Sequence, residues 1–377
     1  MDTKTSSYNK YILRIQKEKI PCYEPSVGKL EIQYLTQVIN SGWLSEKDFT
    51  RKFENFIANF SGRRFALSFT NATSALIVGM KALGIKSGDD VIVPSFTHSA
   101  DTNSISATGA RPIFAEVSSG SMCLSLNTIQ KAKTRKTKAI LYVAAYGNCD
   151  ELDKIEKYAK KNKIFLIIDA AAALGSIYKK KHIGSYGIFS VHSFFADKTI
   201  TTGEGGMLLT DNNKLLAICN LYKHDGRKER GVDKIEKAGL NCRFTELQAA
   251  VGLAQTKKIN FYIKKKKEIY KFYAQEINKI KNIEIFKYNK FCNAVPHRII
   301  IFVKNNSKRL IRFLTNSGIG VRTLFSPMHN QPAYNMKKKF LVSNQLFLKG
   351  VCLPSSPKLT KSQILFICNK IKYFYGK

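Results

Sequence analysis

Apolar positions along the chain follow two spacings in turn. Short runs that are apolar throughout, such as Phe65-Ala-Leu-Ser-Phe69, Asp90-Val-Ile-Val-Pro94 and Ile164-Phe-Leu-Ile-Ile-Asp169, read as strands covered on both faces. Between them lie stretches with apolar residues at helical spacing: Leu30, Ile32, Leu35, Val38 and Ile39; Phe53 to Phe60; Leu76, Val78, Met80 and Leu83. Further strands are expected to end at Phe114 and Val143. Strands interleaved with helices predict an α/β fold built on a parallel sheet. Ligands of such sheets bind just beyond the carboxyl ends of the strands. After Lys257 the pattern becomes a long basic helix and then an alternating segment, Val295 to Val303, which suits a smaller second unit.

Composition narrows the class. With 377 residues, 44% of them hydrophobic, the chain can bury one large core and a second smaller one. The opening Met1-Asp-Thr-Lys-Thr-Ser-Ser is polar, and the longest apolar run, Ile164 to Leu174, is broken by Asp169. No membrane insertion is expected, and a cytoplasmic location is the natural reading. The eight cysteines include no C-x-x-C pair, and the six histidines are scattered, so a structural metal is not expected and the thiols read as reduced and buried.

A net charge of +35 admits nucleic acid, an acidic membrane surface or an acidic small substrate as partner. The lysines are spread over helical stretches such as Lys154–Lys163 and Lys264–Lys267 rather than gathered beside a nucleic-acid reader motif. They are expected to form solvated faces. An anionic small substrate is favoured, with no nucleic acid.

Candidate chemistry centres on residues 190–211, where two β-type runs flank a glycine-rich turn that carries Lys198. In so basic a chain a lone lysine is ordinarily a surface charge. Here Phe194, Phe195 and Ile200 stand around it, Ser193 lies five residues before it, and Gly203, Gly205 and Gly206 let the backbone turn back. An amine among apolar walls loses its charge readily and can attack a carbonyl to form a Schiff base. Asp169, at the end of a buried strand, is costly there unless a cation pairs with it. Asn71-Ala-Thr-Ser-Ala-Leu76 joins a strand to a helix, and backbone N–H groups at a helix start suit an anion.

The block Ser193-Phe-Phe-Ala-Asp-Lys-Thr-Ile-Thr-Thr-Gly-Glu-Gly-Gly-Met207 resembles the lysine signature of the DegT/DnrJ/EryC1/StrS family. Further blocks resemble that family: Ile20 to Pro25 with Ser41-Gly-Trp-Leu; Asn71 to Leu76; Ser95-Phe-Thr-His-Ser-Ala100; Asp169-Ala-Ala-Ala-Ala-Leu-Gly175; Gly239 to Gln255; and His329-Asn-Gln-Pro-Ala-Tyr334. The likeness runs over roughly residues 20–375. It implies pyridoxal phosphate (PLP) fold type I, like aspartate aminotransferase. A large PLP-binding domain at 20–260, with a mostly parallel sheet, would follow an arm at 1–19 and precede a small α+β domain at 261–377.

By the same resemblance Lys198 is the catalytic lysine and Asp169 partners the pyridine nitrogen. Thr73, Ser74 and Ser193 hold the cofactor phosphate, joined by Asn241 from the neighbour in a homodimer with shared sites. His98 stands where the family stacks a ring on the cofactor, and Trp43 and His329 lie near the substrate. The chain departs from the family at Ala72, Ala144, Ala172 and Ser356; Ala172 replaces a Gln or His that touches the ring hydroxyl. The implied reaction moves an amino group from L-glutamate to a nucleotide-diphosphate keto-sugar, with position four favoured over three. Alternatives are an inositol-type ketone, or a non-catalytic relative binding polyanions; intact Lys198 and Asp169 speak against the latter. Dehydratases of the family carry histidine at the lysine position, so Lys198 speaks against them.

Overall fold

The computed structural model describes residues 19–229, 231–334, 336 and 338–376. All but the last residue of the expected arm at 1–19 lies outside the described residues. The first strands are β1 (Phe65–Phe69), β2 (Asp90–Pro94), β3 (Arg111–Ala115), β4 (Thr137–Val143) and β5 (Phe165–Asp169). A short hairpin of β6 (Ile177–Tyr178) and β7 (Lys181–His182) precedes β8 (Phe189–Ser193) and β9 (Gly206–Thr210). The rest are β10 (Ile283–Ile285), β11 (Cys292–Asn293), β12 (Ile299–Val303), β13 (Arg322–Thr323) and β14 (Gly350–Leu353).

Seven of these form the main sheet in the order β1-β9-β8-β5-β4-β2-β3. The pairs from β3 through β2, β4 and β5 to β8 are parallel, whereas β9 runs antiparallel to both β8 and β1. The sheet is therefore mostly parallel, as the sequence predicts, with the single strand β9 reversed between β8 and β1. Side-chain alternation feeds two cores. Along β4, Ala139 and Leu141 enter one cluster with Leu76, Val78 and Met80 of the helix Ala72–Ala82. Ile140 and Tyr142 enter the opposite cluster with Leu152 and Ile155 of the helix Leu152–Lys161. Helices thus cover both faces, which is why the strand sequences are apolar throughout.

A second sheet, β10-β12-β14-β13, is antiparallel. It packs against the helices Ile259–Ile277, Lys308–Asn316 and Lys361–Tyr375 through a core of its own that includes Ile269, Ile301, Leu314 and Ile367. All eight cysteines are buried, and none is in a disulfide. Among the described residues no helix is long and apolar enough to cross a membrane, and no cluster of side chains is suited to a metal.

One buried carboxylate ties the amino-terminal helices to the main domain. Glu246 is 3% exposed; its Oε1 accepts the N–H of Lys47 at 2.7 Å and of Thr50 at 2.9 Å, while Oε2 accepts that of Phe49 at 2.8 Å. These donors open the helix Asp48–Ser61, whose first turn has no intrahelical acceptors. Glu246→Ala is therefore expected to cost about 3 kcal/mol, since several donors lose their partner at once, the buried N–H and hydroxyl of Thr50 among them. A denaturant titration that placed the loss under about 0.5 kcal/mol would contradict this role.

Candidate active site

Strand register sets the floor of the site. Val143 lies opposite Asp169, and Asp169 opposite Val191, so β4, β5 and β8 finish at one level with Ser193 at the end of β8. Above that edge opens a cavity of about 800 Å³. Thr73, Ser74, His98, Asp169, Ser193 and Lys198 all line it.

Thr73 and Ser74 sit in the first turn of the helix Ala72–Ala82. Asn71 caps that helix, its Oδ1 accepting from Ser74 N at 2.9 Å and Ser74 Oγ at 3.0 Å. Gly206 makes room for this start. A Cβ there would lie 2.3 Å from the carbonyl carbon of Asn71 and 2.4 Å from Ala72 N, so a side chain cannot fit between β9 and the helix. The result is a cradle of hydroxyls and helix-end N–H groups suited to a phosphate. Asp169 is 8% exposed, its Oδ1 accepts from Ala171 N at 2.8 Å, and no cation pairs with it among the described residues. A buried carboxylate so placed suits a cationic partner such as a protonated ring nitrogen. His98 forms part of the wall with its ring 6.3 Å from that of Phe325. The surrounding protein, and then the charge of Lys198, lower its pKa, so the ring is neutral at pH 7.

Lys198 departs from the expectation of an apolar cage. Phe194 and Ile200 turn into the core beside Phe53 and Phe244, and the amine meets polar groups instead. Its Nζ lies 3.7 Å from Asp197 Oδ1. Asp197 Oδ2 accepts from Arg298 Nη2, and His297 Nε2 stands 3.7 Å from the same oxygen. Burial alone would raise the Asp197 pKa, but the charges of Lys198 and Arg298 hold it well below the usual carboxylate range. Burial, then the charge of Lys198, push His297 far down, so that ring is neutral and Arg298 is the cation that pairs with Asp197.

Lys266 is a second departure. It belongs to the run expected to form a solvated face, yet it is 3% exposed, and burial followed by the Arg298 charge lowers its pKa to about 7. Its neighbour Lys264 is exposed, as expected. Helical spacing marks one apolar stripe but does not reveal that a lysine can be buried beside it, within the field of Arg298 and Asp197.

Three predicted residues do not line this cavity. Trp43 is 47% exposed, with Lys47 Nζ 5.3 Å from its ring centre, and it borders a separate surface groove with Arg51, Arg227 and Arg243. Asn241 is exposed and pairs through its backbone with His224. His329 is 2% exposed, bonded through Nδ1 to the Ser95 hydroxyl, with its ring 4.7 Å from Phe340. Sequence reading missed Asp197, His297, Arg298, Arg322, Tyr146 and Asp101. Adjacency to Lys198 was a signal for Asp197, and Asp101 directly follows the Ser95–Ala100 block; the remaining residues are brought together by folding.

The donor set fits PLP: an amine for its aldehyde, a carboxylate for its ring nitrogen, and a cradle for its phosphate. Comparisons with known proteins agree. The sequence model of the DegT/DnrJ/EryC1/StrS aminotransferase family matches residues 25–372. GDP-perosamine synthase of Escherichia coli O157:H7 is 36% identical over 361 residues, covering 95% of this chain and 99% of that protein. The corresponding synthase of Vibrio cholerae is 35% identical over 368 residues, covering 95% and 99%. Among solved structures, Helicobacter pylori PseC, an aminotransferase involved in the biosynthesis of pseudoaminic acid, superposes with a TM-score of 0.90 at 25% identity, covering 95% of this chain and 99% of that one.

Proposed function

Since the chain belongs to the DegT/DnrJ/EryC1/StrS aminotransferase family, we propose that it transfers the amino group of L-glutamate to the 4-keto position of a GDP-linked sugar. It is a PLP-dependent sugar aminotransferase of fold type I. The observation that carries the reading of the cofactor site is the meeting of Lys198, Asp169, Ser193 and the Thr73–Ser74 helix start in one cavity. The GDP-linked sugar is taken from the two synthases. Glutamate and position four come from the sequence resemblance.

In this reading Ser74, Ser193 and the helix N–H groups hold the cofactor phosphate, and Asp169 accepts a hydrogen bond from the protonated ring nitrogen. His98 covers the ring. Bound there, PLP supplies an electron sink that lowers the cost of removing a proton from the donor's α-carbon. Lys198 Nζ takes that proton and, in the second half of the cycle, delivers one to the sugar carbon that gains nitrogen. Asp197 keeps the amine oriented, and Arg298 keeps Asp197 ionised and fixed. Glutamate leaves as 2-oxoglutarate, so nitrogen and oxygen exchange between the two substrates. Asn241, exposed and outside its own cavity, is available to complete the phosphate site of a second copy.

A panel of GDP-, UDP- and dTDP-linked 4-keto and 3-keto sugars, each incubated with L-glutamate and read by mass, tests the proposal. Exchange of the ketone oxygen for an amino group is expected on a GDP-linked 4-keto sugar. Amination of a 3-keto sugar alone would overturn the position, and turnover of none of them would overturn the substrate class.

A further inference from the structure

The helix Ser99–Ser106 begins at the cavity wall and turns Asp101 inward, where it has no solvent exposure. Its Oδ2 accepts from the Thr97 hydroxyl. Oδ1 is buried with no hydrogen-bond partner among the described residues. Beside it lies the carboxyl of Asp169, close enough for a hydrogen bond if one of the two carries a proton. Two carboxylates facing each other away from water cannot both be ionised. Burial, and then the charge of Asp169, push the Asp101 carboxyl well above the usual range, while Thr97 and the more distant Lys198 pull it back in part. Asp101 is therefore the member that holds the proton, and the unpartnered oxygen is the mark of that proton.

We propose that Asp101 is a positioning residue for Asp169: its neutral carboxyl donates to the Asp169 carboxylate and fixes it facing the cavity. With the Ala171 N–H on the other side, Asp169 is gripped by two donors. A carboxylate so held cannot rotate away. One carboxyl then keeps the negative charge opposite the ring nitrogen, while its neighbour supports it without adding charge. The inference rests on the reading that Asp169 holds that nitrogen.

The test uses apo protein of the wild type and of Asp101→Asn, Asp101→Ala and Asp169→Asn. PLP affinity is read by fluorescence titration, and unfolding by denaturant is followed from about pH 6 to about pH 9. Asparagine keeps a donor, so Asp101→Asn is expected to bind PLP within about threefold of wild type, whereas Asp101→Ala binds at least about tenfold more weakly. A group whose pKa is raised by folding gives stability that is complete below its unfolded value near pH 4 and is lost as pH rises through the folded value. Wild type therefore loses a share of its stability on the alkaline side that Asp101→Asn does not lose. Equal PLP affinity in the asparagine and alanine variants would overturn the proposal, as would a wild-type pH slope in Asp101→Asn. If Asp101→Ala does not fold, the slope decides alone. Wild-type affinity in Asp169→Asn would instead overturn the underlying reading of the site.

Discussion

Replacing Lys198 with alanine is expected to lower kcat for sugar amination at least about 10³-fold while leaving the protein folded. The side chain is assigned two tasks that no neighbour can assume. It links the cofactor to the protein, and its Nζ carries the proton between carbon atoms. Asp197 stays ionised near neutral pH and accepts protons poorly, and Lys266 lines a smaller void shared with Lys198 rather than the main cavity. Folding should survive, because Lys198 contributes only a 3.7 Å contact to Asp197, which keeps Arg298 as its partner. Lys198→Arg serves as the charge control, since a guanidinium is too weak a base for either task and should lose as much. Steady-state kinetics with the sugar found by mass would measure both, and activity within about tenfold of wild type in either variant would remove Lys198 from the mechanism.

Loss of Arg298 is expected to have the largest effect on stability, about 3–5 kcal/mol for Arg298→Ala. Arg298 is 4% exposed, so the change takes from the Asp197 carboxylate, 11% exposed, its hydrogen-bonded cation and leaves it only the longer 3.7 Å contact with Lys198. It also removes the guanidinium that lies 5.1 Å from the Tyr23 ring centre and donates to the Cys22 carbonyl at 3.3 Å. Those contacts join the segment before the first helix to the second sheet. Combining Arg298→Met with Asp197→Asn removes both charges and should recover a good part of the loss. Denaturant unfolding of the apo proteins decides the matter; a loss below about 1 kcal/mol in Arg298→Ala would place the pair with exposed ion pairs instead.

Much of the scaffold was legible because it obeys local rules. The strands ending at Phe69, Pro94, Val143 and Asp169 are where the apolar runs place them, and the glycine-rich turn does join two strands. Asp169, Ser193, Ser74 and Lys198 were legible for a related reason, since each lies at or just past a strand end in a motif of its own. What could not be read was the set of contacts between remote segments. Asp101 sits in an ordinary polar helix, and nothing in its neighbourhood of sequence reveals that Asp169 faces it. Arg298 lies about a hundred residues from Asp197. The placement of Lys198 also misled, because Phe194 and Ile200 pack into the core and only Phe195 of the three apolar neighbours lines the cavity. His329 sits in a motif associated with substrate, yet packing against Phe340 and Ser95 keeps it from the cavity of its own chain.

The antiparallel edge has a consequence for biogenesis. β1 leaves the ribosome early, but in the main sheet its neighbour is β9, which is finished only at Thr210. At about 5–20 residues per second, the nascent chain carries an unpaired Phe65–Phe69 segment for on the order of ten seconds. During that interval an apolar strand with open hydrogen-bonding groups is exposed to other nascent chains, so recombinant yield should depend on translation speed and on chaperone supply more than the stability of the finished enzyme would suggest.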